Sequence, residues 1–135
     1  MTILNKGQDL YIRKGDTGNI IFTGLPTDKV YIAYMSVYDE EKGKILTVPE
    51  LSAQVDQSTG AVNIWAGEAF SDKLPVGEWV YGLKIKSETN DVISEDTLLP
   101  RSYIDENGNL VNEPAPAFVV DEKIVEGHTS DTSNN

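Results

Sequence analysis

Residues 72–87 read DKLPVGEWVYGLKIKS. Trp79, Tyr81, Leu83 and Ile85 fall on alternate positions, interleaved with Val80, Gly82, Lys84 and Lys86. Alternation with a period of two is the pattern of a half-buried β-strand. The preceding Leu74-Pro75-Val76-Gly77 supplies a turn that launches it. Just upstream, Ser58-Thr59-Gly60 introduces a second alternating run, Ala61-Val62-Asn63-Ile64-Trp65. Turn, strand, connector, turn and long strand together form a unit of an antiparallel β-sandwich.

The same grammar extends outward. Asp9 to Arg13 alternates as a first strand, Lys14-Gly15-Asp16 turns, and Thr17 to Thr23 returns with Ile20 and Phe22 on one side. Lys29 to Tyr38 (KVYIAYMSVY) is a long strand that is apolar on both faces. Val30, Ile32, Tyr34 and Tyr38 fall on one face, and Tyr31, Ala33, Met35 and Val37 on the other. Such a strand sits deep in a sheet or meets a partner. Asp39 to Gly43 is a polar hairpin turn and Lys44 to Val48 its return strand. Ser52 to Val55 adds a short strand, 67–73 a helical or irregular turn, Glu88 to Asp91 a hairpin turn, and Val92 to Leu99 another strand. Residues 100–116 break the regularity, as an irregular excursion or a small hairpin around Glu106-Asn107-Gly108-Asn109. Ala117 to Val125 returns as a last strand. Strands at about ten-residue spacing predict an all-β, immunoglobulin-like antiparallel β-sandwich. Residues 1–127 form one domain on this reading, and the polar stretch 128–135 is a disordered tail.

Composition narrows the function. The chain has 135 residues, enough for one compact domain. Hydrophobic residues make up 39% and mean hydropathy is −0.31, as in a soluble globular protein. Apolar runs such as Val30 to Met35 fall far short of the ~20 residues that span a bilayer. The first ten residues lack an apolar segment of signal-peptide length, so a protein made in a cytoplasm is expected. Net charge is −11, from 22 acids and 11 bases. Residues 88–135 hold eleven acids against Arg101 and Lys123, a balance of −9. That field repels nucleic-acid phosphates and anionic lipids, so neither nucleic acid nor membrane is expected as a partner.

Catalytic constellations find little material. There is no cysteine, and the single histidine, His128, lies in the polar tail. Thiolate chemistry is thereby excluded, and a Ser-His-Asp triad or a multi-histidine zinc site has almost nothing to be built from. Asp105-Glu106-Asn107-Gly108-Asn109 has calcium-type residues, but its glycine falls fourth where an EF-hand loop needs it sixth. No pair of carboxylates is singled out for glycoside hydrolysis. The expectation is a protein without catalytic residues, metal or cofactor. Binding surfaces remain. The face of Tyr31, Ala33, Met35 and Val37 is the expected protein interface, because aromatics and Met are enriched at interfaces. Trp65, opposite Val62 and Ile64, is the alternative, an exposed platform for a sugar ring.

Three segments carry a family likeness. They are Arg13-Lys14-Gly15-Asp16-Thr17, then Asp56-Gln57-Ser58-Thr59-Gly60-Ala61-Val62-Asn63-Ile64, then Lys73-Leu74-Pro75-Val76-Gly77-Glu78-Trp79-Val80-Tyr81-Gly82-Leu83. Over roughly residues 9–99 the pattern resembles the N-terminal immunoglobulin-like domain of upper-baseplate proteins of tailed phages infecting Gram-positive bacteria. It departs from that pattern where residues 100–116 intervene, and no long coiled or receptor-binding portion falls within residues 1–135. The resemblance implies a phage or prophage structural protein, non-enzymatic, acting by protein–protein docking in the virion. Its partners would be other virion proteins, including further copies of itself, and its location the virion after synthesis in the host bacterial cytoplasm. The alternative function is a carbohydrate-binding module for host cell-surface polysaccharide.

Overall fold

The computed structural model describes residues 2–3, 8–47, 50–89 and 92–122. Along the chain run β1 (Thr2–Ile3), β2 (Leu10–Arg13), β3 (Gly18–Phe22), β4 (Ile32–Asp39), β5 (Lys44–Ile45), β6 (Leu51–Gln54) and β7 (Val62–Ala66). A short helix α1 (Glu68–Lys73) follows, then β8 (Gly77–Thr89), β9 (Val92–Leu99), β10 (Ser102–Ile104), β11 (Leu110–Asn112) and β12 (Ala117–Asp121). The residue pair 90–91 in the hairpin turn, Val48 of the return strand, the last residues of the closing strand and the tail lie outside the described residues.

The strands form an all-β sandwich. One sheet has the order β1-β3-β7, and the other β2-β12-β8-β4-β5, with β6 also on β4 and β9 also on β8. In the first sheet β3 lies between β1 and β7, and in the second β8 lies between β12 and β4. The expected antiparallel pairing holds with two exceptions. β2 runs parallel to β12, and β1 parallel to β3. The N-terminal segment enters along the edges of both sheets, so its direction follows the strand it meets.

The alternation in 72–87 sets the register of the whole. Tyr81, Leu83 and Ile85 point inward opposite Val37, Met35 and Ala33 of β4. Phe118 and Val120 of β12 and Leu10 and Ile12 of β2 extend that face. From the other sheet come Ile20 and Phe22 of β3 and Val62, Ile64 and Ala66 of β7. Each large apolar side chain buried this way contributes about 1.5–3 kcal/mol.

Tyr81 is the hub. Its ring lies 6.2 Å from Phe22 across the layers and 6.3 Å from Phe118 on the neighbouring strand. Antibody domains tie these two layers by a disulfide; this chain has no cysteine and uses rings. The Tyr81 hydroxyl donates to the Gln8 carbonyl at 2.6 Å and accepts the Gln8 N–H at 3.3 Å, which fastens the incoming N-terminal segment. Helix α1 plugs one end. Phe70 meets Phe118 edge-on at 6.3 Å, and the buried Ser71 hydroxyl donates to the Asp16 carbonyl at 2.7 Å. Lys14 reaches the carbonyls at the helix end, Asp72 at 2.7 Å and Leu74 at 2.5 Å.

Two turns fix their residues sterically. Gly60 has φ +73, and a Cβ there would lie 2.7 Å from the Leu25 carbonyl oxygen. The Trp79 indole N–H donates to the Pro75 carbonyl at 2.8 Å, and a Cβ on Gly77 would lie 2.9 Å from the Trp79 ring. The Leu-Pro-Val-Gly turn and the indole are therefore one packed unit. The return strand after the 39–43 turn is shorter than expected. Leu46 still donates to the Val37 carbonyl at 2.8 Å, but the Thr47 hydroxyl replaces the next backbone acceptor for Val37 N–H, at 3.1 Å. A side chain has substituted for the ladder, so strand geometry ends at Ile45.

Substituting Gly60→Ala should cost about 1–3 kcal/mol, because it adds a strained φ to a backbone collision. Urea unfolding is the measurement; a loss under 0.5 kcal/mol would contradict the packing described. Burial pushes the Tyr81 hydroxyl up to about 12 from 10.0. The folded state therefore holds this proton more tightly than the unfolded chain. The resulting stability is fully present below pH 10 and is lost as pH rises from 10 through 12. Tyr81→Phe should lose about 1 kcal/mol at neutral pH and unfold less steeply over that alkaline window.

Candidate functional site

Strand β4 divides its two apolar faces between different tasks, and the structure corrects the expected assignment. Tyr31, Ala33, Met35 and Val37 are buried in the core against β8, so they cannot meet a partner while the domain is folded. Tyr31 also spends its hydroxyl internally, on Asp28 at 2.8 Å. Two apolar faces look alike in sequence, and the cross-strand partners of β8 decide which one turns inward. The face left to solvent carries Ile32, Tyr34, Ser36 and Tyr38, each only partly covered.

On that outer face lies a shallow trough of about 230 Å³. Tyr34, Tyr38 and Ile45 wall one side, and Thr97, Leu99 and Pro100 the other, over a floor at Gly82. Four residues of strand separate the two tyrosines, about 13 Å. Gly82 keeps the floor low, since a Cβ there would press on the Leu99 carbonyl oxygen at 3.3 Å and the Tyr38 ring at 3.6 Å. Ser36 donates to a Glu50 carboxylate oxygen at 2.5 Å on one flank. On the other, Lys84 binds Glu95 at 2.7 Å, Lys86 approaches the same carboxylate at 3.9 Å, and the Lys86 ammonium sits 4.9 Å from the Tyr34 ring centre. Exposed pairs of this kind contribute little stability and mainly orient side chains.

Beyond Pro100 the chain leaves the sandwich. Strands β10 and β11 pair only with each other, Ile104 opposite Leu110 and Tyr103 opposite Val111. At the tip, Asp105 accepts the N–H groups of Asn107 and Asn109, both at 2.9 Å. The acid-rich loop that resembles a calcium site thus spends a carboxylate oxygen on closing its own turn. Ile104 is 63% exposed and Leu110 65%. The root is braced by Glu113 N–H on the Arg101 carbonyl at 2.8 Å and by the Arg101 guanidinium 4.6 Å from the Tyr103 ring centre. The result is an arm with an apolar waist and an acidic tip.

The carboxylates that show perturbed acidity are held ionised. The Ser58 hydroxyl lowers Asp56, the Lys84 ammonium lowers Glu95, and the Tyr11 hydroxyl lowers Asp121. A general acid needs the opposite shift. Among the described residues, no three His, Asp or Glu side chains converge as a metal-binding group. The arrangement is suited to binding by shape, aromatic surface and charge. No helix among the described residues is long and apolar enough to cross a membrane. Trp65 is 58% exposed on the outer face of β7, beside Asn19 across the pair. It stands apart from the trough, on the opposite sheet.

Sequence reasoning placed the excursion at 100–116 but assigned nothing to Ile104 and Leu110. The available signal was two aliphatic residues flanking an Asp-Glu-Asn-Gly-Asn turn without a strand to bury them. In comparisons with known proteins, no family model and no curated protein matches the chain.

The two indoles give a check on this geometry. In Trp65→Phe, the remaining emission from Trp79 should shift to the blue and be quenched less by acrylamide. Equal quenching of the two single-tryptophan variants would contradict the placement of Trp65 outside and Trp79 against the turn.

Proposed function

We propose that this chain is a non-enzymatic docking module, a phage or prophage structural protein whose sandwich presents the trough and the arm to other virion proteins. The observation that carries the reading is the arm. An isolated two-stranded hairpin is marginally stable in water, and this one exposes paired aliphatic side chains that a partner would bury. The tyrosine-walled trough lies at its root, so both fall within one contact area. Aromatic side chains and a desolvated centre are what interfaces use. The −11 charge guides approach to a basic partner surface. The virion location comes from the resemblance of residues 9–99 to baseplate sandwich domains.

Mass spectrometry of purified particles from the producing phage or lysogen tests both halves of the reading. The chain should be present, and a folded Ile104→Asp/Leu110→Asp double variant should be depleted at least tenfold. Absence of the chain from particles removes the virion reading. Incorporation of the double variant at the normal level removes the arm from the docking surface.

A second reading, a carbohydrate-binding module, is favoured by one observation, the exposed Trp65 indole. Titrating tryptophan fluorescence with host cell-wall polysaccharide should show a saturable change that Trp65→Ala abolishes. A flat titration, with a sugar-binding control protein responding, removes this reading.

A further inference from the structure

We infer that Asn107-Gly108, at the tip of the arm, is a modification site, where the Asn107 side-chain amide converts spontaneously to aspartate or isoaspartate, and that Asp105 holds the conversion back. The inference goes beyond the docking reading and stands without it.

The sequence supplies the reacting pair. Among the asparagines of the chain, only Asn107 is followed by glycine. The reaction is an attack by the next residue's backbone nitrogen on the asparagine side-chain carbonyl carbon. A side chain on that next residue crowds the approach, and glycine has none. Gly108 has φ +81, and a Cβ built there meets nothing within 4 Å. Asn107, Gly108 and Asn109 are all exposed, so water reaches the pair.

Water is the one co-reactant. The Gly108 nitrogen gives up its proton and bonds to Asn107 Cγ, and Nδ2 of Asn107 leaves as ammonia. The product is a cyclic imide. Water then opens the imide at either carbonyl, with no change of oxidation state. One opening leaves aspartate. The other leaves isoaspartate, whose main chain runs through the side-chain carbonyl carbon.

The turn restrains the reacting nitrogen. Gly108 N–H donates to the Asp105 carbonyl at 3.0 Å, and attack requires that bond to break. Asp105 Oδ1 accepts the N–H groups of Asn107 and Asn109, both at 2.9 Å, and Asp105 N–H donates to the Asn109 carbonyl at 2.9 Å. The carboxylate beside the turn also disfavours the negative charge that the Gly108 nitrogen carries once deprotonated. Strands β10 and β11 pair only with each other, so the tip opens by local fraying and needs no unfolding of the sandwich. Isoaspartate adds a methylene to the main chain, so one carboxylate no longer spans both N–H groups and the end of the arm loses its closure.

Ageing the full-length chain in warm, mildly alkaline buffer, followed by peptide mass spectrometry, tests this. In guanidinium chloride, Asn107 should convert faster than every other asparagine, giving isoaspartate, aspartate and ammonia. In the folded wild type the same conversion should be at least fivefold slower. Asp105→Ala should recover most of that difference while leaving the circular dichroism spectrum unchanged, and Asn107→Gln should abolish the modified species. An Asn107 that outlasts the other asparagines in denaturant overturns the site. A folded wild type that converts as fast as the denatured chain, or an Asp105→Ala variant as slow as wild type, overturns the restraint by Asp105.

Discussion

The burial of Tyr81 between two sheets is the constraint on which the rest depends. Its ring contacts Phe22 in the opposite layer and Phe118 on the adjacent strand, and its hydroxyl holds Gln8. Once that residue points inward, period-two geometry sends Leu83, Ile85 and Ser87 inward after it. Val80, Gly82, Lys84 and Lys86 are then committed to the outer face. The register between β4 and β8 carries the decision across to Val37, Met35 and Ala33. Function on this sheet is confined to what remains.

What remains is a surface with a defect built into it. Gly82 leaves a gap where every neighbouring strand position would place a side chain, and Tyr34 and Tyr38 stand around the gap. The connection between β8 and β12 would close in a few residues in a simple sandwich. Here it extends through β9 and the β10–β11 arm, so the insertion and the gap share a border at Pro100. Packing of the core and placement of the proposed docking surface are thus two consequences of one register.

Much of the fold was legible because alternation and turn chemistry are local. The Leu-Pro-Val-Gly turn, the polar hairpin at 39–43, the Ser-Thr-Gly turn and the short helix after Trp65 all lie where their residues place them. The shortened return strand was not legible, since it depends on a threonine hydroxyl standing in for a backbone group. The two parallel pairs were hidden as well, because sheet-edge partners are set by tertiary packing. The site was legible only in part. KVYIAYMSVY declares two apolar faces and withholds which one is buried, and the face assigned to a partner, Tyr31, Ala33, Met35 and Val37, is core. Trp65 was placed outside by its alternation against Val62 and Ile64, and the structure has it there.

The central claim is that the arm, with the trough at its root, is where this domain is held in an assembly. Site-specific photocrosslinking from position 104, during assembly in the producing cell, tests it most directly. The account predicts an adduct to a second copy or another virion protein from position 104, and none from position 76, an exposed turn away from the arm. No adduct from position 104 in particles that contain the chain, or equal adducts from both positions, would contradict it.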